Sequence, residues 1–106
     1  MALKIMRGDA YPIGVDVEID GRIATPGMVE DVEISVGTQL QKLKSRGEVW
    51  YLDGQWYFHL SQEETFAMED SCEVYVRVVL PNNPDHVIGQ RAGLIVVLPT
   101  GSTEVL

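Results

Sequence analysis

The sequence predicts an all-β fold: an immunoglobulin-like antiparallel β-sandwich of about seven strands, with one short helix near residues 62–68. Two observations predict it. Short segments alternate apolar and polar residues with the period of two of a strand, and turn residues separate these segments about every 8–12 residues. The 106 residues have the length of one domain. We expect residues 1–98 to form the sandwich and the polar residues 99–106 to form a C-terminal tail.

The first half of the chain contains two clearly alternating segments. The first ends at the hairpin dipeptide Asp20-Gly21. Its apolar face would carry Ile13, Val15, Val17 and Ile19. The second is predicted to start just after Glu30, or to carry a bulge there. Its apolar face would carry Val32, Ile34 and Val36. Residues 38–46 are ambiguous, because the spacing of Leu40 and Leu43 suits one or two helical turns as well as a loop.

An aromatic-rich hairpin and a short helix are predicted in the middle of the chain. Residues 48–52 and 55–59 read as its two strands, and Asp53-Gly54 is the turn between them. Trp56, Phe58 and Leu60 share a face, which we assign to the core. Ser61 and Glu64 have the spacing of a capping box, so a helix of about two turns is expected from residue 62 to residue 68.

Two longer strands are predicted to complete the sandwich. The first has an apolar face that consists of Cys72, Val74, Val76, Val78 and Leu80. Residues 81–85 have the composition of a turn. The last strand covers residues 87–98, where Gly89 and Gly93 mark a bulge or a bend.

The charge balance argues against nucleic acid and membrane surfaces as partners. The net charge is −8, and the only basic cluster is the short run Lys42, Lys44 and Arg46. Nucleic-acid binding requires a clustered basic patch. Residues 1–5 have no apolar segment typical of a signal peptide, so we expect the protein to stay in the compartment where it is made, a reducing cytoplasm. The single cysteine, Cys72, lies in an apolar run and is interpreted as a buried small side chain.

The sequence nominates no catalytic residue, cofactor site or metal site, and we expect no enzymatic activity. His59 and His86 are the only histidines, and no nucleophile or acid is placed beside either by a recognisable motif. The acidic residues near the N-terminus lack the spacing of an EF-hand, although a weak calcium site in a loop stays open. The tripeptide Arg7-Gly8-Asp9 is interpreted as a tight turn.

Aromatic side chains offer a candidate interaction surface, which consists of Trp50, Tyr51, Tyr57 and Tyr75. Adjacent residues of a strand point to opposite faces, so with Trp56 inside, Tyr57 and one of its aromatic neighbours would lie outside. Such a patch has two interpretations. It is a platform on which a carbohydrate stacks, or a protein–protein contact, where Trp and Tyr are enriched.

The chain resembles the N-terminal immunoglobulin-like domain of phage and prophage tail proteins of the baseplate upper protein type. The resemblance rests, in order, on Arg7-Gly8-Asp9, on the strand and turn of residues 53–58, on Leu60-Ser61-Gln62-Glu63-Glu64-Thr65, and on the strands of residues 73–78 and 94–97. It implies a virion component that assembles with other tail proteins, with itself as a homo-oligomer, or with both, and it implies no catalytic residues. It also favours the protein contact over the carbohydrate platform.

Overall fold

A computed structural model describes residues 2–102 and 104–106, and more than half of them lie in strands. The strands are β1 (Ala2–Met6), β2 (Tyr11–Val15), β3 (Glu18–Ile19), β4 (Arg22–Ile23), β5 (Asp31–Val36), β6 (Leu40–Leu43), β7 (Val49–Leu52), β8 (Gln55–Leu60), β9 (Ser71–Leu80) and β10 (Asn83–Leu98). The helix α1 (Gln62–Ala67) joins β8 to β9, and short 3₁₀ turns occupy Pro26–Met28 and Lys44–Arg46. The predicted all-β fold with one short helix is confirmed.

The strands form two main sheets and a small hairpin. One sheet has the order β1-β10-β9-β5-β6, the other has the order β2-β8-β7, and β3 pairs with β4. In immunoglobulin lettering, β10-β9-β5-β6 correspond to G-F-C-C′ and β2-β8-β7 to B-E-D. The pairing is antiparallel apart from β1, which lies parallel to β10. The described strands number ten, more than the seven or so expected, because the first alternating segment breaks after Val15 and because β4 and β6 are added.

The core lies between the two main sheets and takes side chains from both inner faces. The largest fully buried side chains are Trp56 and Phe58 of β8 and Ile34 of β5. The predicted inward faces of all the alternating segments are buried, with Leu80 at the end of β9 only partly so. This agreement follows from the strand period, because a one-residue slip in register would move the whole apolar set into solvent.

The segment from residue 38 to residue 46, for which a helix or a loop was expected, contains an edge strand. β6 pairs with β5, from Val36 opposite Leu40 to Glu33 opposite Leu43. A spacing of three places Leu40 and Leu43 on opposite faces of a strand, and Leu40 packs against the core. Leu40 and Leu43, whose spacing suggested a helical turn, therefore lie in different surroundings on the two faces of one short strand.

The hairpin between β9 and β10 is tighter than the predicted turn over residues 81–85. Only Pro81 and Asn82 lie outside the strands, and β10 begins at Asn83 with a shift in register before Val87. A second shift lies between Arg91 and Gly93, so of the two predicted glycine positions the bulge is at Gly93. Gly89 pairs in register with Arg77.

Candidate interaction surface

The structure brings together two of the four aromatic residues that the sequence proposed as an interaction surface. Trp50 of β7 and Tyr57 of β8 lie opposite each other on the outer face of the three-stranded sheet, with ring centroids 6.1 Å apart and planes inclined by 17°. Tyr51 instead lies on the inner face, partly buried and edge-on to Trp56 at 5.4 Å. Tyr75 is exposed on the outer face of the other sheet. The four residues therefore do not form one patch.

We define the aromatic face as Trp50, Leu52 and Tyr57. Trp50 is 39% exposed and Leu52 is 54% exposed, so both are open to a partner. Leu52 follows Trp50 by two residues on the same strand, which places the two side chains on one side of the sheet. An apolar surface with an aromatic pair at its centre therefore covers this side of β7 and β8.

Gly14 of β2 leaves room for the Tyr57 ring to lie over the backbone, and it was not nominated from the sequence. Gly14 lies opposite Tyr57 in register, and the tyrosine ring covers it so closely that a Cβ atom on residue 14 would lie 2.9 Å from Tyr57 Cε2. The Tyr57 hydroxyl also lies 3.3 Å from Oε1 of Gln55, whose Nε2 donates to Asp16 at 3.1 Å. A glycine inside an alternating strand is the signal that could have indicated this close approach.

A polar pocket of about 480 Å³ adjoins Trp50. It is lined by Lys42, Gly47, Glu48, Trp50, His59, Ser61 and Glu64. Lys42 Nζ lies 2.6 Å from Glu64 Oε2, and Glu64 also accepts the backbone N–H of Ser61 in the capping box of α1. Burial raises the pKa of Glu64, but the hydrogen bonds from Lys42 and Ser61 outweigh burial and hold the pKa below its usual value. The pocket thus places fixed hydrogen-bonding groups beside an exposed indole.

The middle of the outer face of the five-stranded sheet, on β5, β9 and the adjoining part of β10, is charged, whereas Met6 and Leu98 leave apolar surface exposed at the β1–β10 edge. Arg77 binds Glu33 with two hydrogen bonds, at 2.5 and 2.8 Å, and Arg91 pairs with Glu73. The hydrogen bond from Arg77 lowers the pKa of Glu33. Tyr75 lies among these ion pairs. The part of the face around Tyr75 has the character of a solvated surface, and Tyr75 lies on the opposite side of the sandwich from the aromatic face.

The tripeptide Arg7-Gly8-Asp9 forms the predicted tight turn, and it also binds α1. The Asp9 backbone N–H donates to the Met6 carbonyl at 3.0 Å. Arg7 Nη1 donates to the carbonyls of Phe66 (3.1 Å) and Met68 (2.5 Å) at the C-terminal end of the helix. The tripeptide therefore has a role in the fold, because Arg7 donates hydrogen bonds to carbonyls that a helix end leaves without intrahelical partners.

The cysteine and the two histidines lie in different surroundings. Cys72 is buried, its thiol donates weakly to the Glu69 carbonyl at 3.6 Å, and burial raises its pKa. His59 and His86 are both exposed. Among the described residues, no three or more His, Cys, Asp or Glu side chains cluster in a way that could hold a metal ion. None of the helices in the described ranges has the length and apolar character needed to span a membrane.

Comparison of the chain with protein-family models, with curated proteins and with solved structures gives no match.

Proposed function

We propose that this chain is a structural domain of a phage or prophage tail or baseplate, and that it docks on its assembly partners through the aromatic face. The observation that carries the proposal is the exposed Trp50, stacked on Tyr57 and flanked by Leu52. The resemblance to tail-protein domains supports the assembly role. The sandwich acts as a rigid support that presents this face, since Tyr57 is held over Gly14.

The difference between the two outer faces favours the aromatic face as the contact. The cores of protein interfaces are depleted of charged residues and enriched in Trp and Tyr. The row of Trp50, Tyr57 and Gly14 meets this description. Docking on the opposite face would require Glu33, Arg77, Glu73 and Arg91 to lose water, which is costly for ion pairs.

We expect Trp50→Ala to weaken the assembly by at least about 2 kcal/mol, or roughly 30-fold, as loss of an interfacial tryptophan does. Light scattering after size exclusion, from micromolar to near-millimolar protein, would measure self-association. Titration with tail and baseplate proteins of the same source genome would measure binding to other partners. Tyr75→Ala is the matched control, because it removes an exposed aromatic ring from the opposite face and should leave the assembly unchanged.

The proposal fails if the purified protein stays monomeric at every concentration and forms no complex with those tail proteins. A discrete oligomer or complex that Tyr75→Ala disrupts and Trp50→Ala does not would move the contact to the charged face.

A second candidate function, carbohydrate binding, is favoured by the polar pocket beside Trp50. Sugar-binding sandwiches stack a pyranose on an aromatic ring and hydrogen-bond its hydroxyls with neighbouring polar groups, and Glu48, His59 and Lys42 line the pocket next to the indole. Under this alternative, a glycan from a panel should quench tryptophan fluorescence, and Trp50→Ala should abolish the quenching while Tyr75→Ala preserves it. An unchanged spectrum across the panel would exclude this function and leave the assembly role.

A further inference from the structure

A second pocket, separate from the aromatic face, lies between α1 and the turn that joins β5 to β6. Its volume is about 240 Å³. The apolar part of its lining comes from Val36, Leu40, Ala67, Met68 and Cys72. An apolar cavity of about 150 Å³ accommodates a benzene molecule, so this pocket has room for one large apolar side chain. We refer to it as the helix pocket.

The helix pocket remains open because small groups form its floor. Cys72 is a small side chain at the beginning of β9, and above it the turn carries Gly37, where a Cβ atom would lie 3.5 Å from the Cys72 sulfur. Ala67, at the end of α1, has only a methyl group to offer on the helix side. Small groups therefore form part of the lining, beside the longer side chains of Leu40 and Met68.

Carboxylates lie along the helix side of this apolar pocket. Glu63, Glu64 and Glu69 are among its lining residues. Lys42 pairs with Glu64, whereas Glu63 and Glu69 are exposed and make no ion pair with the described part of the chain. The two carboxylates lie at opposite ends of the helix, so they flank the pocket. Charges at a binding rim select partners and speed their association.

We propose that the helix pocket binds a basic segment of a partner protein, with one large apolar side chain in the pocket and Lys or Arg residues on either side paired with Glu63 and Glu69. The choice of a basic occupant rests on charge complementarity, since carboxylates line one side of the apolar pocket and the chain has a net charge of −8. The proposal does not depend on the aromatic face, because the residues of the two surfaces do not overlap.

The test uses a synthetic peptide with one phenylalanine between two pairs of arginines, followed by NMR chemical shifts of the intact protein at low salt. We expect saturable shifts on α1 and on the turn before β6, with a Kd below about 1 mM, equivalent to about −4 kcal/mol. A peptide with serine in place of phenylalanine should bind at least about ten-fold more weakly, because it loses the buried side chain. Binding should also weaken as salt is raised.

Two variants examine the two parts of the site separately. Ala67→Trp fills the pocket from an exposed helix position, and Glu63→Gln with Glu69→Gln removes the flanking charges. Each of these variants should weaken binding of the peptide at least about ten-fold. Glu18→Gln with Glu30→Gln is the matched control, since it removes the same charge from exposed positions outside the pocket and should have no effect.

Several results would overturn the proposal. One is the absence of shifts up to about 1 mM peptide. Another is equal binding of the phenylalanine and serine peptides, which would show attraction by charge alone. If Glu18→Gln with Glu30→Gln weakens peptide binding as much as Glu63→Gln with Glu69→Gln does, the result would also show attraction by charge alone. Self-association that Ala67→Trp abolishes, without peptide binding, would assign the pocket to a second copy of this chain.

Discussion

Replacement of Trp56 by alanine is expected to lower the free energy of unfolding by about 3–5 kcal/mol, the range for large-to-small aromatic changes in a core. Trp56 is 1% exposed, and Tyr51 packs edge-on against it. Its Nε1 donates to the Ala24 carbonyl at 2.8 Å, which ties β8 to the segment after β4. Domains of this size are stable by only about 5–15 kcal/mol, so the variant would lose a large fraction of the stability of the fold.

Urea denaturation followed by circular dichroism would measure this loss. Trp50→Ala is the matched control, because it removes the same side chain from the outer face of the adjacent strand and should cost less than about 1 kcal/mol. Trp56→Phe should lie between the two, since it keeps an aromatic ring but leaves the Ala24 carbonyl without its donor, at about 1–3 kcal/mol. A loss below about 1 kcal/mol for Trp56→Ala, with a larger loss for Trp50→Ala, would mean that the two faces of this hairpin are assigned the wrong way round.

The parts of the fold that the sequence predicts correctly are those encoded by local chemistry. The alternation of Val32, Ile34 and Val36 identifies an inward face because a strand has a period of two. Asp53-Gly54 identifies a two-residue turn, and Leu52 indeed pairs with Gln55 across it. The reciprocal hydrogen bonds of Ser61 and Glu64 form as their spacing predicts. Each of these features depends on residues within a few positions of each other.

The candidate surface could be predicted only in part, because it depends on which strands lie side by side. The alternation correctly places Tyr57 outside once Trp56 is inside, but it does not say which sheet a strand joins. Tyr75 therefore could not be separated from Trp50 and Tyr57, although β9 belongs to the other sheet. Gly14 and the helix pocket depend on contacts between distant parts of the chain, and β6 is too short for its alternation to be distinguished from a helical turn.

Replacement of Gly8 by alanine is expected to cost about 2–4 kcal/mol, from backbone strain together with overpacking. Gly8 has φ of +93°, a conformation that is unfavourable for residues with a Cβ atom, and a Cβ there would lie 2.7 Å from Cζ of Phe66. Gly8 cannot move away freely, since its N–H donates to the Thr65 hydroxyl at 3.0 Å. The neighbouring Arg7 is also held by the carbonyls of α1.

The two contributions at Gly8 can be separated by a double-mutant cycle with Phe66→Ala, read by urea denaturation. If overpacking against the ring contributes, Gly8→Ala will cost less in the Phe66→Ala background, and the cost that remains measures the backbone strain. Gly27→Ala provides the control, because its φ is not positive and an added Cβ would have no neighbour within 4 Å. A cost at Gly8 no greater than the cost at Gly27 would mean that the Arg7-Gly8-Asp9 turn is not locked onto α1.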